Sequence, residues 1–188
     1  VFAAPGQGSL VRGEAGAFYR SNGNARGANL SATYATESFS ISYTGATAQS
    51  DNYEAGGNFK ERLFGAGNDP AFTGRPGHAL SRDEVGSRAY ETRNHTLGVA
   101  FRGGNHLIEA KLGYQDLPYQ LWPNQRMDML DNVQQRLNLR YRGVFGWGTL
   151  EARAWREDVE HFMDFGADKR FLYGPDSGGP AAPNGLPC

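Results

Sequence analysis

Leu107-Ile108-Glu109-Ala110-Lys111-Leu112-Gly113-Tyr114-Gln115 decides the fold class of this 188-residue chain. Successive side chains on an extended strand point to opposite faces. Ile108, Ala110, Leu112 and Tyr114 therefore share one face, and Glu109, Lys111, Gly113 and Gln115 share the other. One face suits an apolar environment and the other suits water. The same alternation places Val11, Ala15, Ala17 and Tyr19 together, then Ala28, Leu30, Ala32 and Tyr34, then Phe39, Ile41 and Tyr43. Leu97, Val99 and Phe101 follow, then Leu137, Leu139 and Tyr141, and finally Leu150, Ala152 and Ala154, giving about seven strands.

A soluble sandwich or lectin-like domain also alternates, so the connections carry the discrimination. Thr36-Glu37, Gly104-Asn105 and residues 143–148 join neighbouring runs almost directly. With Gly104-Asn105 as a two-residue turn, Gly103 pairs with His106, Phe101 with Ile108 and Val99 with Ala110, which keeps apolar face on apolar face. A Thr36-Glu37 turn sets Tyr34 opposite Phe39 and Ala32 opposite Ile41. Around the third turn, Arg140 is expected to meet Glu151 as an opposite-charge pair. The other connections are long: roughly 52–93, 117–132 and 167 onward, with 21–27 as a short exception. Short turns at one end and long loops at the other are the plan of a transmembrane β-barrel.

The mean hydropathy is -0.59 and no stretch approaches ~18 consecutive apolar residues, so helical spans are excluded. A barrel hides its membrane signal, because half of each strand faces a polar lumen. Phe and Tyr (11 and 9, against 3 Trp) cluster near strand ends, where an interfacial girdle belongs. Phe145 and Trp147 read as a membrane-surface anchor or as a small cluster capping a soluble sheet. A net charge of -1 and the lack of a basic stripe with interleaved aromatics argue against a nucleic-acid partner. About seven strands leave two unpaired edges, and the chain has neither an initiator Met nor a signal peptide. The expectation is a fragment of a larger barrel that would not be stable alone, since open edges in lipid strand backbone polar groups.

Candidate chemistry is confined to a few side chains. All three Met lie in two short segments, Met127-Asp128-Met129 and His161-Phe162-Met163. Alternation along the last strand puts Glu151, Arg153, Trp155, Glu157, Val159, His161 and Met163 on the polar face. Imidazole beside thioether favours Cu(I) over hard cations. By spacing alone, however, the plainer reading is favoured, with His161 as a polar lumen residue and Met163 packing under a loop. Met127 and Met129 allow a soft-metal station or packing in a folded loop, and the sequence alone favours packing. Asp128 and Asp131 read as solvated loop acids, and His78, His95 and His106 as surface or strand-end residues. No Ser/His/Asp set, carboxylate pair or Gly-rich phosphate motif is present, so no enzyme is expected.

Three segments resemble the TonB-dependent copper receptors of Gram-negative outer membranes. They are Asn94-His95-Thr96-Leu97-Gly98-Val99-Ala100-Phe101 with Gly113-Tyr114-Gln115-Asp116-Leu117-Pro118-Tyr119-Gln120, Pro123-Asn124-Gln125-Arg126-Met127-Asp128-Met129, and Val159-Glu160-His161-Phe162-Met163-Asp164-Phe165-Gly166 with Asp168-Lys169-Arg170-Phe171. The likeness runs through most of the chain and is loosest over 52–93. It implies an antiparallel barrel of roughly 22 strands closed by an N-terminal plug. Residues 1–8 would be the plug-to-barrel link, and 9–188 the first third of the barrel. It further implies copper as the transported substrate, energy from the TonB–ExbB–ExbD complex through the plug, and a setting of outer-membrane lipid and lipopolysaccharide. His161 and Met163 would be copper ligands facing the plug, with Met127 and Met129 as weaker candidates. Cys188, the sole cysteine, would pair with a second loop cysteine or serve as a free thiol ligand. The resemblance has two rivals. One is a TonB-dependent siderophore or metal-chelate receptor using Arg136, Arg140, Arg142 and Arg153; the other is a structural or adhesive barrel without transport.

Overall fold

The computed structural model describes residues 1–59, 80–125 and 127–168. His78 and Cys188 lie outside them. The described chain is all-β: β1 (Ser9–Arg20), β2 (Ala25–Thr36), β3 (Phe39–Ser50), β4 (Tyr53–Glu54), β5 (Glu84–Val85), β6 (Tyr90–Gly103), β7 (His106–Gln120), β8 (Asp128–Phe145) and β9 (Gly148–Asp164). Seven strands form one antiparallel sheet in the order β1-β2-β3-β6-β7-β8-β9, which does not close on itself. β4 and β5 form a separate two-stranded ribbon inside the long 52–93 connection.

The turn at Gly104-Asn105 has the expected register, with Gly103 opposite His106, Phe101 opposite Ile108 and Val99 opposite Ala110. Gly104 sits at φ +52, a left-handed conformation that disfavours a Cβ. Gly104→Ala is expected to cost about 1 kcal/mol. Gly103→Ala, with no positive φ and nothing within 4 Å of an added Cβ, should cost less; denaturant midpoints of the refolded protein would compare the two.

The other two hairpins correct the sequence reading by two residues each. Tyr34 faces Ile41 rather than Phe39, and Ala32 faces Tyr43 rather than Ile41. The turn residues are Glu37 and Ser38, because Thr36 Oγ1 accepts the Phe39 N–H at 3.1 Å and caps the turn. In the third hairpin Phe145 faces Gly148, so Arg140 lies opposite Arg153 and Arg142 opposite Glu151. A two-residue offset preserves the face of every side chain, which is why the patterning survived while the partners changed. The strands also run further than expected: β7 reaches Gln120 and β8 begins at Asp128, reducing the 117–132 connection to 121–127.

Ladder and pattern together set the strand tilt. The row from Ala15 runs through Leu30, Gly45, His95, Tyr114 and Gln135 to Asp158. The apolar stripe centres near Ala15 on β1 but near Ala152 on β9, six residues from Asp158. That drift is ~20 Å along the strand over ~29 Å across the sheet, an inclination of roughly 35°. A closed barrel needs a strand tilt of about this size.

Aromatic groups mark the ends of the apolar face. His95 stacks between Tyr43 (6.1 Å) and Tyr114 (6.4 Å), with its Nδ1 2.7 Å from the Tyr43 hydroxyl. At the short-turn end His106 stacks on Tyr141 and meets it at 2.8 Å, and Phe145 stacks on the exposed Trp147 at 5.1 Å. The first residues cross this same end. The Ala3 N–H donates to Thr36 O, and the Arg102 guanidinium covers the Phe2 ring at 4.5 Å while donating to Glu37 O.

Candidate soft-donor site at the long-loop end

Simple alternation would place Met129 with Leu137, Leu139 and Tyr141 on the apolar face. Two register irregularities prevent this. β7 shifts against β6 between the Arg93–Asp116 and Glu91–Tyr119 pairs. β8 shifts against β9 between Met129 and Asp131. β7 and β8 keep one register across the same region, Leu117 facing Asn132 and Gln120 facing Met129. The two strands therefore bulge side by side. Pro118 lies within the β7 bulge and has no N–H to give to a ladder. A bulge inserts one residue and reverses the alternation beyond it.

The consequence is a re-aimed thioether. Met129 stands directly opposite Met163, and Asn132 opposite His161, all on the polar face. Directly opposed residues hold their Cβ atoms about 4.5–5.5 Å apart, so two flexible thioethers can close on one ion. His161 lies one strand repeat further along and is exposed; Met163 is half-buried and Met129 buried. Met127 stands outside the ladder, half-buried in the bend before β8. Of the four residues singled out from sequence, His161, Met163 and Met129 are brought together and Met127 is not. Among the described residues no group of three His, Cys, Asp or Glu converges on a metal position. Two thioethers and one imidazole form a set suited to a soft ion.

Asp128 departs from the sequence reading. It is not a solvated loop acid but fully buried, at 0% exposure. Its Oδ1 accepts the Trp122 N–H at 2.8 Å and its Oδ2 the Ser87 hydroxyl at 3.1 Å. A Cβ at Gly166 would overlap this carboxylate. Ser87 also donates its N–H to Asp168 Oδ2 at 2.6 Å, and Asp168 accepts from Asn52 Nδ2 at 2.7 Å. Asn52 bonds Glu84 and receives the N–H groups of Arg88 and Ala89. Sequence reasoning missed Ser87, Asn52 and Asp168 altogether. The available cue was the pair of small residues, Gly86 and Gly166, packed against this knot.

Further toward the short turns the polar face carries an ion ladder. Arg140 bridges Glu109 and Glu151, each at 3.0 Å, and Arg153 meets Glu151 at 2.6 Å. The expected Arg140–Glu151 pair thus exists, but diagonally rather than across the ladder. The ladder borders an open depression of about 590 Å³ that also involves Lys111, Asn138 and Trp155.

No family model matches the chain, and no curated protein does. Among solved structures the chain is similar to the copper transporter OprC, with a TM-score of 0.57 and 20% identity over 83% of its length. It spans 20% of that transporter's own chain. At this identity the likeness is one of fold, an antiparallel barrel-type sheet.

Proposed function

We propose that this chain is the N-terminal part of the barrel of a TonB-dependent outer-membrane receptor that imports copper. One observation carries the reading: paired bulges place Met129 opposite Met163 on the same face as His161. The resemblance of 94–171 to copper receptors and the fold likeness to OprC support it. In this reading the apolar face meets lipid and the polar face lines the lumen. His161, Met163 and Met129 then bind copper as substrate on its path inward. Sharing the ion between thioethers and one imidazole keeps the hold on Cu(I) selective. Residues 1–8, seated on the short-turn end, serve as the link from a plug that receives energy from TonB–ExbB–ExbD. A chelate receptor would call on Arg136, Arg140, Arg142 and Arg153, of which Arg140 and Arg153 are engaged in the ion ladder.

The test is copper content of the complete receptor purified from outer membranes, beside a His161→Ala/Met163→Ala double variant. Copper in the parent and at least tenfold less in the variant is the expected result. No copper in either would sink the metal reading.

A further inference from the structure

Ser87 combines three properties that a loop serine has no ordinary reason to share. It is 3% exposed, it holds a left-handed backbone at φ +55, and it donates both its N–H and its hydroxyl to carboxylates on different segments. A non-glycine residue in that conformation persists only where its surroundings hold it. Those surroundings gather the roots of several long-loop-end connections: Asn52 after β3, 84–89 before β6, Trp122 after β7, and Asp168 after β9. Asn22 adds the β1–β2 connection by exchanging two hydrogen bonds with Glu54 of the neighbouring ribbon, both at 2.8 Å. The knot therefore reaches every connection at this end that the described residues contain.

Its position relative to the soft donors is what matters. Asp128, which receives the Ser87 hydroxyl, is the first residue of β8 and lies between Met127 and Met129. Its strand partner Asp164 directly follows Met163. The bulge that turns Met129 onto the polar face spans residues 129–131, and before it β8 is held to β9 by two pairs, Asp128–Asp164 and Met129–Met163. The hydrogen bonds to Asp128 reinforce this short end of the ladder. A shift of the Asp128 backbone would carry Met129 with it, since the two are adjacent.

We propose that Ser87 is a positioning residue for the soft-cation site: through Asp128 it holds Met129 against Met163 and so couples ion capture to the order of the loop rim. The proposal rests on the soft-cation reading above and deepens it. Linkage requires the coupling to be reciprocal. An ion bridging Met129 and Met163 stabilises the knot, and a weakened knot loosens the ion. Partners one step removed from metal ligands commonly change affinity 10–100-fold when lost.

Silver(I) provides a redox-stable soft probe, titrated into the complete receptor in detergent against a competing chelator. Ser87→Ala, which removes the hydroxyl and leaves every proposed ligand in place, is expected to weaken binding ~10-fold. Ser87→Gly, which removes the same hydroxyl but accepts the left-handed backbone without strain, should weaken it similarly and guards against simple misfolding of the alanine variant. In the unaltered receptor, silver should slow amide hydrogen exchange across 84–89. Met129→Leu should abolish that slowing even while His161 and Met163 still bind. Unchanged affinity in both Ser87 variants, or silver bound without slowed exchange at 84–89, overturns the proposal alone. No silver binding by the unaltered receptor overturns the soft-cation reading and the proposal with it.

Discussion

Under the proposed barrel reading, Leu112→Arg is expected to destabilise the protein in a bilayer by about 2–4 kcal/mol, the cost of a guanidinium near the middle of a barrel's lipid face. Leu112 stands at the centre of the apolar face, with Leu97 and Leu137 as its partners on either side. The same substitution at Thr44, an exposed residue of the polar face between Ser31 and Thr96, should change stability by less than about 1 kcal/mol, because a lumen-facing cation remains hydrated. Refolding the complete protein into phospholipid vesicles under a denaturant series would compare the two. Equal costs at both positions would mean that the apolar face does not meet lipid. That outcome would favour a soluble arrangement in which some other layer covers it.

Asp128→Ala is expected to be nearly as damaging, though locally. The substitution strips the acceptor from the Trp122 N–H and from the Ser87 hydroxyl. A buried donor left without a partner costs about 1–3 kcal/mol, so losing both partners costs at least about 2 kcal/mol locally. Amide exchange at Trp122 should then run at least ~30-fold faster, since each 1.4 kcal/mol is a factor of ten. Asp128→Asn keeps an acceptor oxygen and should lose much less. Were Trp122 to exchange at the same rate in Asp128→Ala as in the parent, Asp128 would not be holding this end of the molecule.

The two experiments probe different layers of the same design. The apolar face is a property of alternation and is spread over seven strands, so a single charge is costly but leaves the fold's logic intact. The knot is a property of three separate segments, at Ser87, Trp122 and Gly166, meeting at one carboxylate. Its loss is felt where the soft donors stand, because Asp128 directly precedes Met129.

Alternation along the chain specifies the face of nearly every strand residue, and Gly104-Asn105 specifies one hairpin register. Alternation is local: Ile108, Ala110 and Leu112 share a face whatever their neighbours are. Gly104-Asn105 set its own register, because a two-residue turn leaves its flanking residues one pairing and Gly104 accepts the positive φ it needs. At Thr36-Glu37 and 143–148 the faces were legible but the partners were not. In the first, the choice of turn residues depended on a Thr36 hydrogen bond that closes only once the chain has turned. His161 and Met163 were legible as same-face residues for the reason that governs Ile108 and Ala110.

Met129 was another matter. Its face depends on bulges in β7 and β8 that occur together, and a bulge is a relation between strands rather than a property of one. Pro118 hinted at an interruption in β7 but could not show that β8 would follow. Asp128, read from its polar surroundings as solvated, is buried because Ser87, Trp122 and Gly166 converge on it from three separate segments. A carboxylate enters the interior only where distant donors meet it. Only the tertiary structure decides that, since no local pattern records which segments will be neighbours.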